Sequence, residues 1–216
     1  MSRGLKTWGV VALLVLVAVV VFLAASLPYV PIVHGSTADE IERLAEWLRI
    51  EPGSRVADLG AGDGTYAVAL ARLVGPSGHV YATEIDSDNL AEIRRAATEA
   101  GLTNVPVIEA AVSRTNLPDA CCDVLYSRLV YHHLTDPDAI NADMLRALRP
   151  GGRLLVIDFE PGGALDIFPS GTEERHGGHG TPKETVTKEV TAAGFELLRG
   201  PETWRGRTYA VLFRRP

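Results

Sequence analysis

Residues Val56 to Tyr66 read Val-Ala-Asp-Leu-Gly-Ala-Gly-Asp-Gly-Thr-Tyr, and no other stretch limits the fold of this chain as strongly. The short apolar run from Arg55 to Leu59 predicts a buried strand. Glycines at 60, 62 and 64 predict a tight turn, and Ala67, Leu70, Ala71 and Val74 recur at helical spacing after it. Glycine has no Cβ, so the backbone can take positive φ and come close to a ligand. The helix start adds backbone N–H groups with no partner inside the helix. Asp58 stands two positions before the first glycine. A carboxylate there disfavours a phosphate and suits a ligand with a cationic or hydrogen-bond-donating end.

Two familiar loops fail on this run. The dinucleotide fingerprint needs a glycine three residues after its second one, and Thr65 stands there. The phosphate-cradling loop needs a Gly-Lys-Ser/Thr ending, which is absent. The pattern Asp-x-Gly-x-Gly-x-Gly is satisfied at every position.

The rest of the chain alternates strand and helix. Thr37-Ala-Asp-Glu40 reads as a capping box opening a helix, and Thr181-Pro-Lys-Glu184 as a second one. Ser87 is the expected cap of the helix carrying Leu90, Ile93 and Ala97. Further strands are expected over 79–84, 105–108, 123–126, 153–159, 195–198 and 208–214, the last two as a hairpin. This alternation predicts an α/β fold, a Rossmann-like doubly wound, mostly parallel sheet. Such sheets bind ligands outside the carboxyl ends of their strands. The glycine loop, Glu84, the segment after strand four and the long loop after strand five all lie on that edge. Glu84 ends strand two about twenty residues past the loop, where a carboxylate accepts from ribose hydroxyls. Asp86 is its rival for that role.

The net charge of −6 argues against a nucleic-acid backbone as partner. The only cysteines are the neighbours Cys121 and Cys122, too few for a closed zinc site, and no metal is expected. Val10 to Leu27 carries no charge and as a helix would be roughly 27 Å long, close to the bilayer core. The expected organisation is therefore a tail over 1–8, a transmembrane helix or signal-anchor over 9–27, a linker over 28–36 and a catalytic domain over 37–216. A cleaved signal peptide, with Ala24-Ala25-Ser26 as its site, is the alternative. Arg3 and Lys6 precede the apolar run and acids follow it, which places the N-terminus in the cytoplasm and the domain outside.

From Thr37 onward the chain resembles class I S-adenosylmethionine (SAM)-dependent methyltransferases, especially those acting on quinones and small molecules. The resemblance rests on Val-Ala-Asp58-Leu-Gly60-Ala-Gly62-Asp-Gly64, Val-Tyr-Ala-Thr-Glu84, Asn116-Leu-Pro-Asp-Ala-Cys-Cys-Asp123-Val-Leu and Leu148-Arg-Pro-Gly-Gly152-Arg-Leu-Leu-Val, in order. It implies a seven-stranded sheet with the last strand antiparallel. It also implies SAM as cofactor, with S-adenosylhomocysteine as product. Asp58, Gly60, Ala61, Gly62 and Gly64 would hold the methionine end, Glu84 and Ile85 the ribose side, with Ser127 beside them. The family often has an acid after strand three, where Ala111 stands here. Adenine then falls to backbone groups near Ala111 and Val112, or to Glu109 in a slipped register. SAM use places the domain inside the cell, against the charge bias of the N-terminus.

Methyl transfer asks the protein to align an acceptor and manage one proton. His132 and His133, just after strand four, are the candidate bases. Tyr131, Arg175, His176 and His179 are the candidate acceptor-side residues, and Arg128 is a candidate partner for an anionic group. The expected acceptor is a small molecule, lipid or quinone near a membrane. The rivals are an aminopropyl transferase on the same fold and an inactive domain that binds a SAM-like ligand.

Overall fold

The computed structural model describes residues 36–162 and 180–216. The first described helix, α1 (Thr37–Leu48), leads into β1 (Arg55–Leu59), α2 (Thr65–Val74), β2 (His79–Glu84), α3 (Ser87–Glu99) and β3 (Val107–Glu109). Then come β4 (Cys122–Arg128), a 3-10 turn (Tyr131–His133), α4 (Pro137–Ala147), β5 (Leu148–Phe159), α5 (Lys183–Ala192), β6 (Glu196–Arg205) and β7 (Thr208–Arg214). The seven strands lie in the order β3-β2-β1-β4-β5-β7-β6. β1 to β5 pair in parallel, and β7 enters antiparallel between β5 and β6. The chain reverses direction across β1, because β2 lies on one side of it and β4 on the other. That switch point leaves a crevice over the carboxyl end of β1.

Strand periodicity divides the core. Val56, Val124 and Leu155 face one layer with α1, α2 and α3, whereas Ala57, Leu125 and Leu154 face the other with α4 and α5. Successive residues point to opposite faces, so a strand covered on both sides must be apolar throughout. This accounts for the unbroken run Leu154-Leu155-Val156-Ile157, in which each residue is at most 1% exposed.

Three expected caps shift. Ser36, not Thr37, caps α1: its Oγ accepts from Asp39 N, and Asp39 Oδ2 accepts from Ser36 N. Glu40 then falls one position past the box and turns inward. Asp86, not Ser87, caps α3, its Oδ1 accepting from Asp88 N and Asn89 N. The box at Thr181 does not form. Thr181 is held at the end of β5, its N–H donating to Phe159 O and its carbonyl accepting from the Tyr209 hydroxyl, and Pro182 stands at the cap.

The expected membrane helix over 9–27 lies outside the described residues, as does the tail before it. Among the described residues no helix is long and apolar enough to cross a membrane. Among the described residues, then, nothing supports the expected single-pass membrane localisation.

Candidate active site

Two adjoining clefts open over the carboxyl end of β1. The first encloses about 430 Å³ between Leu59, Gly60, Glu84, Ala111, Val130 and His133. The second encloses about 460 Å³ among Asp58, the glycine loop, Tyr66, Tyr126, Arg128 and Arg205. Gly60 and Val130 line both. A Cβ at residue 60 would lie 2.5 Å from Val130 Cγ2, and its φ of +71° is left-handed. Glycine is therefore required where the two clefts meet. Gly62 is also left-handed, yet a Cβ there would meet nothing within 4 Å, and the residue lines the second cleft.

Glu84 forms part of the first wall. Its Oε2 accepts from Gly62 N at 2.9 Å, and its Oε1 from Ile85 N at 2.8 Å and Asp86 N at 3.3 Å. One carboxylate thus fixes the glycine loop to the end of β2. Ile85 and Val112 stand largely exposed at the mouth, at 63% and 60%, as apolar faces suited to a flat ring. Register pairs Glu109 with Glu84, and Glu109 is absent from the lining. Ala110 to Val112 are the residues that reach the cleft after β3.

Asp58 is 3% exposed, and its Oδ2 has no hydrogen-bond partner. Burial raises its pKa to about 7, with the nearby Tyr126 hydroxyl offsetting part of that rise and the Glu84 charge adding to it. The Tyr126 hydroxyl and Ser127 Oγ are likewise buried without partners. Unpaired buried polar atoms are costly, and here they gather under a polar cleft. A ligand with a cationic or donating end in the second cleft would satisfy Asp58 and Tyr126, which line it, so these two residues fit the methionine end of SAM.

Over the second cleft sits a hub absent from the sequence expectations. Glu40, 6% exposed, accepts from Arg128 Nε at 2.8 Å, Tyr66 Oη at 2.8 Å, Trp204 Nε1 at 3.0 Å and Arg205 at 3.1 Å. Burial alone would raise its pKa. Hydrogen bonds from Arg128, Tyr66 and Trp204, with the Arg128 charge, outweigh burial and hold it at about 2. Arg128 is therefore engaged by Glu40 and lies over the Tyr66 ring, 4.6 Å from its centroid. Only contacts between residues far apart in sequence mark this site; Glu40 itself reads as a capping acid.

The expected site residues fall into separate places. Asp58, Gly60, Ala61, Gly62, Glu84, Ile85, Ala111 and Val112 line the two clefts. Gly64 packs instead against Ile93, 3.2 Å from where its Cβ would be, and Ser127 lies fully buried behind the lining. His133 lines the first cleft, whereas His132 is 5% exposed and bonded to Asp158. Tyr131 turns away from the clefts: it is fully buried, and its hydroxyl bonds Asn141 Nδ2 at 2.8 Å and Glu189 Oε2 at 3.0 Å. Arg175, His176 and His179 lie outside the described residues. Among the described residues no cluster of metal-binding side chains occurs.

Comparison with known proteins agrees with this geometry. Residues 57–156 match a family model described as a methyltransferase domain. A ubiquinone/menaquinone biosynthesis C-methyltransferase of Vibrio vulnificus is 36% identical over 109 residues, which is 50% of this chain and 42% of that protein. The match thus spans less than half the length of that relative. Two solved structures share the fold. A SAM-dependent methyltransferase from Aquifex aeolicus has a TM-score of 0.70 and 22% identity, covering 85% of this chain and 95% of that one. A phosphoethanolamine N-methyltransferase from Haemonchus contortus, in complex with SAM, has a TM-score of 0.64 and 21% identity, covering 76% and 38%. Residues 57–156 thus form a methyltransferase domain, and the sheet order and the paired clefts around them fit S-adenosylmethionine as its cofactor.

Proposed function

We propose that the whole protein methylates a small aromatic acceptor of the quinol type on carbon. The observation that carries this reading is the placement of His133 on the same wall as Glu84 and Gly60. In our assignment Asp58 takes the ammonium of SAM, the glycine loop passes beside its chain, and Glu84 takes the ribose hydroxyls. Ile85 and Val112 cover the adenine. The cofactor supplies an electrophilic methyl group on a sulfonium. The acceptor then needs orientation and a route for one proton. The acceptor carbon gains the methyl and loses a hydrogen as a proton, which a His133 ring nitrogen accepts. The named activity of the Vibrio relative supports a quinol as acceptor.

Calorimetry with SAM on the full chain tests the cofactor assignment. Binding should be lost in Asp58→Ala and Glu84→Ala. Incubation with methyl-labelled SAM and a water-soluble naphthohydroquinone lacking one ring methyl tests the acceptor. The expected product carries one added methyl on carbon. Labelled hydroquinone bearing the methyl on oxygen, or no labelled product with SAM bound, would sink the acceptor assignment while leaving the cofactor site standing.

A further inference from the structure

Asp158, the penultimate residue of β5, is fully buried. Its carboxylate accepts three N–H groups, each at 2.8 Å. Oδ1 takes His132 Nδ1 and Phe159 N, and Oδ2 takes His132 N. A carboxylate oxygen in this position leaves His132 Nδ1 only the donor role, so the lone pair of the neutral ring sits on Nε2. The same carboxylate thus holds both the backbone and the ring of His132. That ring packs edge-on to Phe159 at 4.7 Å and against His133 at 4.0 Å between centroids. The turn is closed by His133 N on Val130 O and Leu134 N on Tyr131 O, and its last residue is the one that reaches the cleft.

Other titratable groups nearby are committed elsewhere. Tyr209 pairs with Asp158 in the sheet but donates to Thr181 O at 2.6 Å. The Tyr131 hydroxyl serves Asn141 and Glu189, and Glu160 pairs with Lys183 at 3.4 Å. Among the described residues, Asp158 is the carboxylate that bonds the His132 ring.

We infer that Asp158 and His132 are a positioning pair for His133: the carboxylate sets the tautomer and aim of His132, and the His132 ring backs His133 at the cleft wall. This rests on His133 being the proton acceptor proposed above. Neither residue of the pair touches the reacting atoms.

Long-range proton–nitrogen NMR on the full chain reads the pair without any acceptor. The expected spectrum has His132 protonated on Nδ1, with that proton protected from exchange. In Asp158→Ala the ring loses this acceptor, so the Nδ1 form gives way to an exchangeable mixture richer in the Nε2 form. An Nε2-protonated His132 in the unsubstituted protein, or an unchanged spectrum in the variant, overturns the pair. Asp158→Ala also costs stability, so His132→Phe is the second variant; it keeps the backbone bond to Oδ2 and the aromatic packing. With SAM and the naphthohydroquinone, His132→Phe should lower kcat at least about tenfold with KM for SAM nearly unchanged. A kcat close to that of the unsubstituted protein, or equal losses in kcat and SAM affinity, refutes the positioning role. Absence of turnover in the unsubstituted protein counts against the proposed acceptor, and the NMR result then decides for or against the pair.

Discussion

Replacing Glu40 by glutamine should destabilise this domain by about as much as a buried ion pair is worth. The folded pKa falls from 4.5 to about 2, and each unit corresponds to about 1.4 kcal/mol. The carboxylate therefore contributes about 3 kcal/mol near neutral pH. The sign follows from the direction of the shift. The folded value lies below the unfolded one, so the contribution is fully present above about pH 4.5 and is lost as pH falls toward 2. Arg128 and Arg205 keep 29% and 32% of their side chains in solvent. Solvent can thus take up part of their charge once Glu40 is gone, and the loss should stay near the lower end of the range for breaking a buried pair. For a domain of this size, about 3 kcal/mol lowers Tm by about 6–12 °C. Thermal unfolding followed by circular dichroism, with urea midpoints at constant slope, measures it. Repeating the comparison near about pH 3 should shrink the gap between the two proteins. A loss below about 1 kcal/mol at neutral pH, the worth of an exposed pair, refutes the reasoning; so does a gap that does not change with pH.

Other consequences concern the clefts. Burial holds Asp58 at about 7, so pairing with an ammonium should release a proton, and SAM affinity should rise as pH climbs through about 7. Calorimetry in buffers of differing ionisation enthalpy would show this, and affinity independent of pH would refute it. Gly62→Ala carries only backbone strain, about 1 kcal/mol, whereas Gly60→Ala also drives a methyl into Val130. Urea denaturation should rank Gly60→Ala as clearly worse, and adding Val130→Ala should restore part of its SAM affinity; equal losses in the two single variants would contradict the assigned contact. Glu84→Gln sets an amide donor against either Gly62 N–H or Ile85 N–H. It should weaken SAM binding at least about tenfold and speed hydrogen exchange at the Gly62 amide, and unchanged exchange there would count against the carboxylate as the loop's anchor.

Much of the site was legible because it is local. The glycine turn, the apolar strand before it and Glu84 at the end of the next strand are held in relation by one β-α-β unit. Short-range spacing therefore placed Asp58, Gly60, Gly62 and Glu84 together on the edge of the sheet where the two clefts open. The cap at Ser36 was misread by one residue, since Thr37 and Glu40 satisfy the same spacing rule as Ser36 and Asp39. That shift hid Glu40. The adjacent histidines were equally ambiguous: His132 and His133 are indistinguishable in sequence, and a 3-10 turn sends one into the core and the other to the cleft.

By itself the sequence determined the α/β alternation, the strand-to-glycine-turn geometry and the chemistry of the cofactor edge, because backbone freedom and side-chain periodicity act over a few residues. Only the tertiary structure decided what depends on burial and on distant partners. It raised Asp58 by enclosing it and lowered Glu40 by bringing donors from α2, β4 and β6. It also joined Asp158 to His132 across 26 positions. The physical reason is common to all three: the energy of a carboxylate is set by the groups around it, and those groups come together only when the strands are assembled.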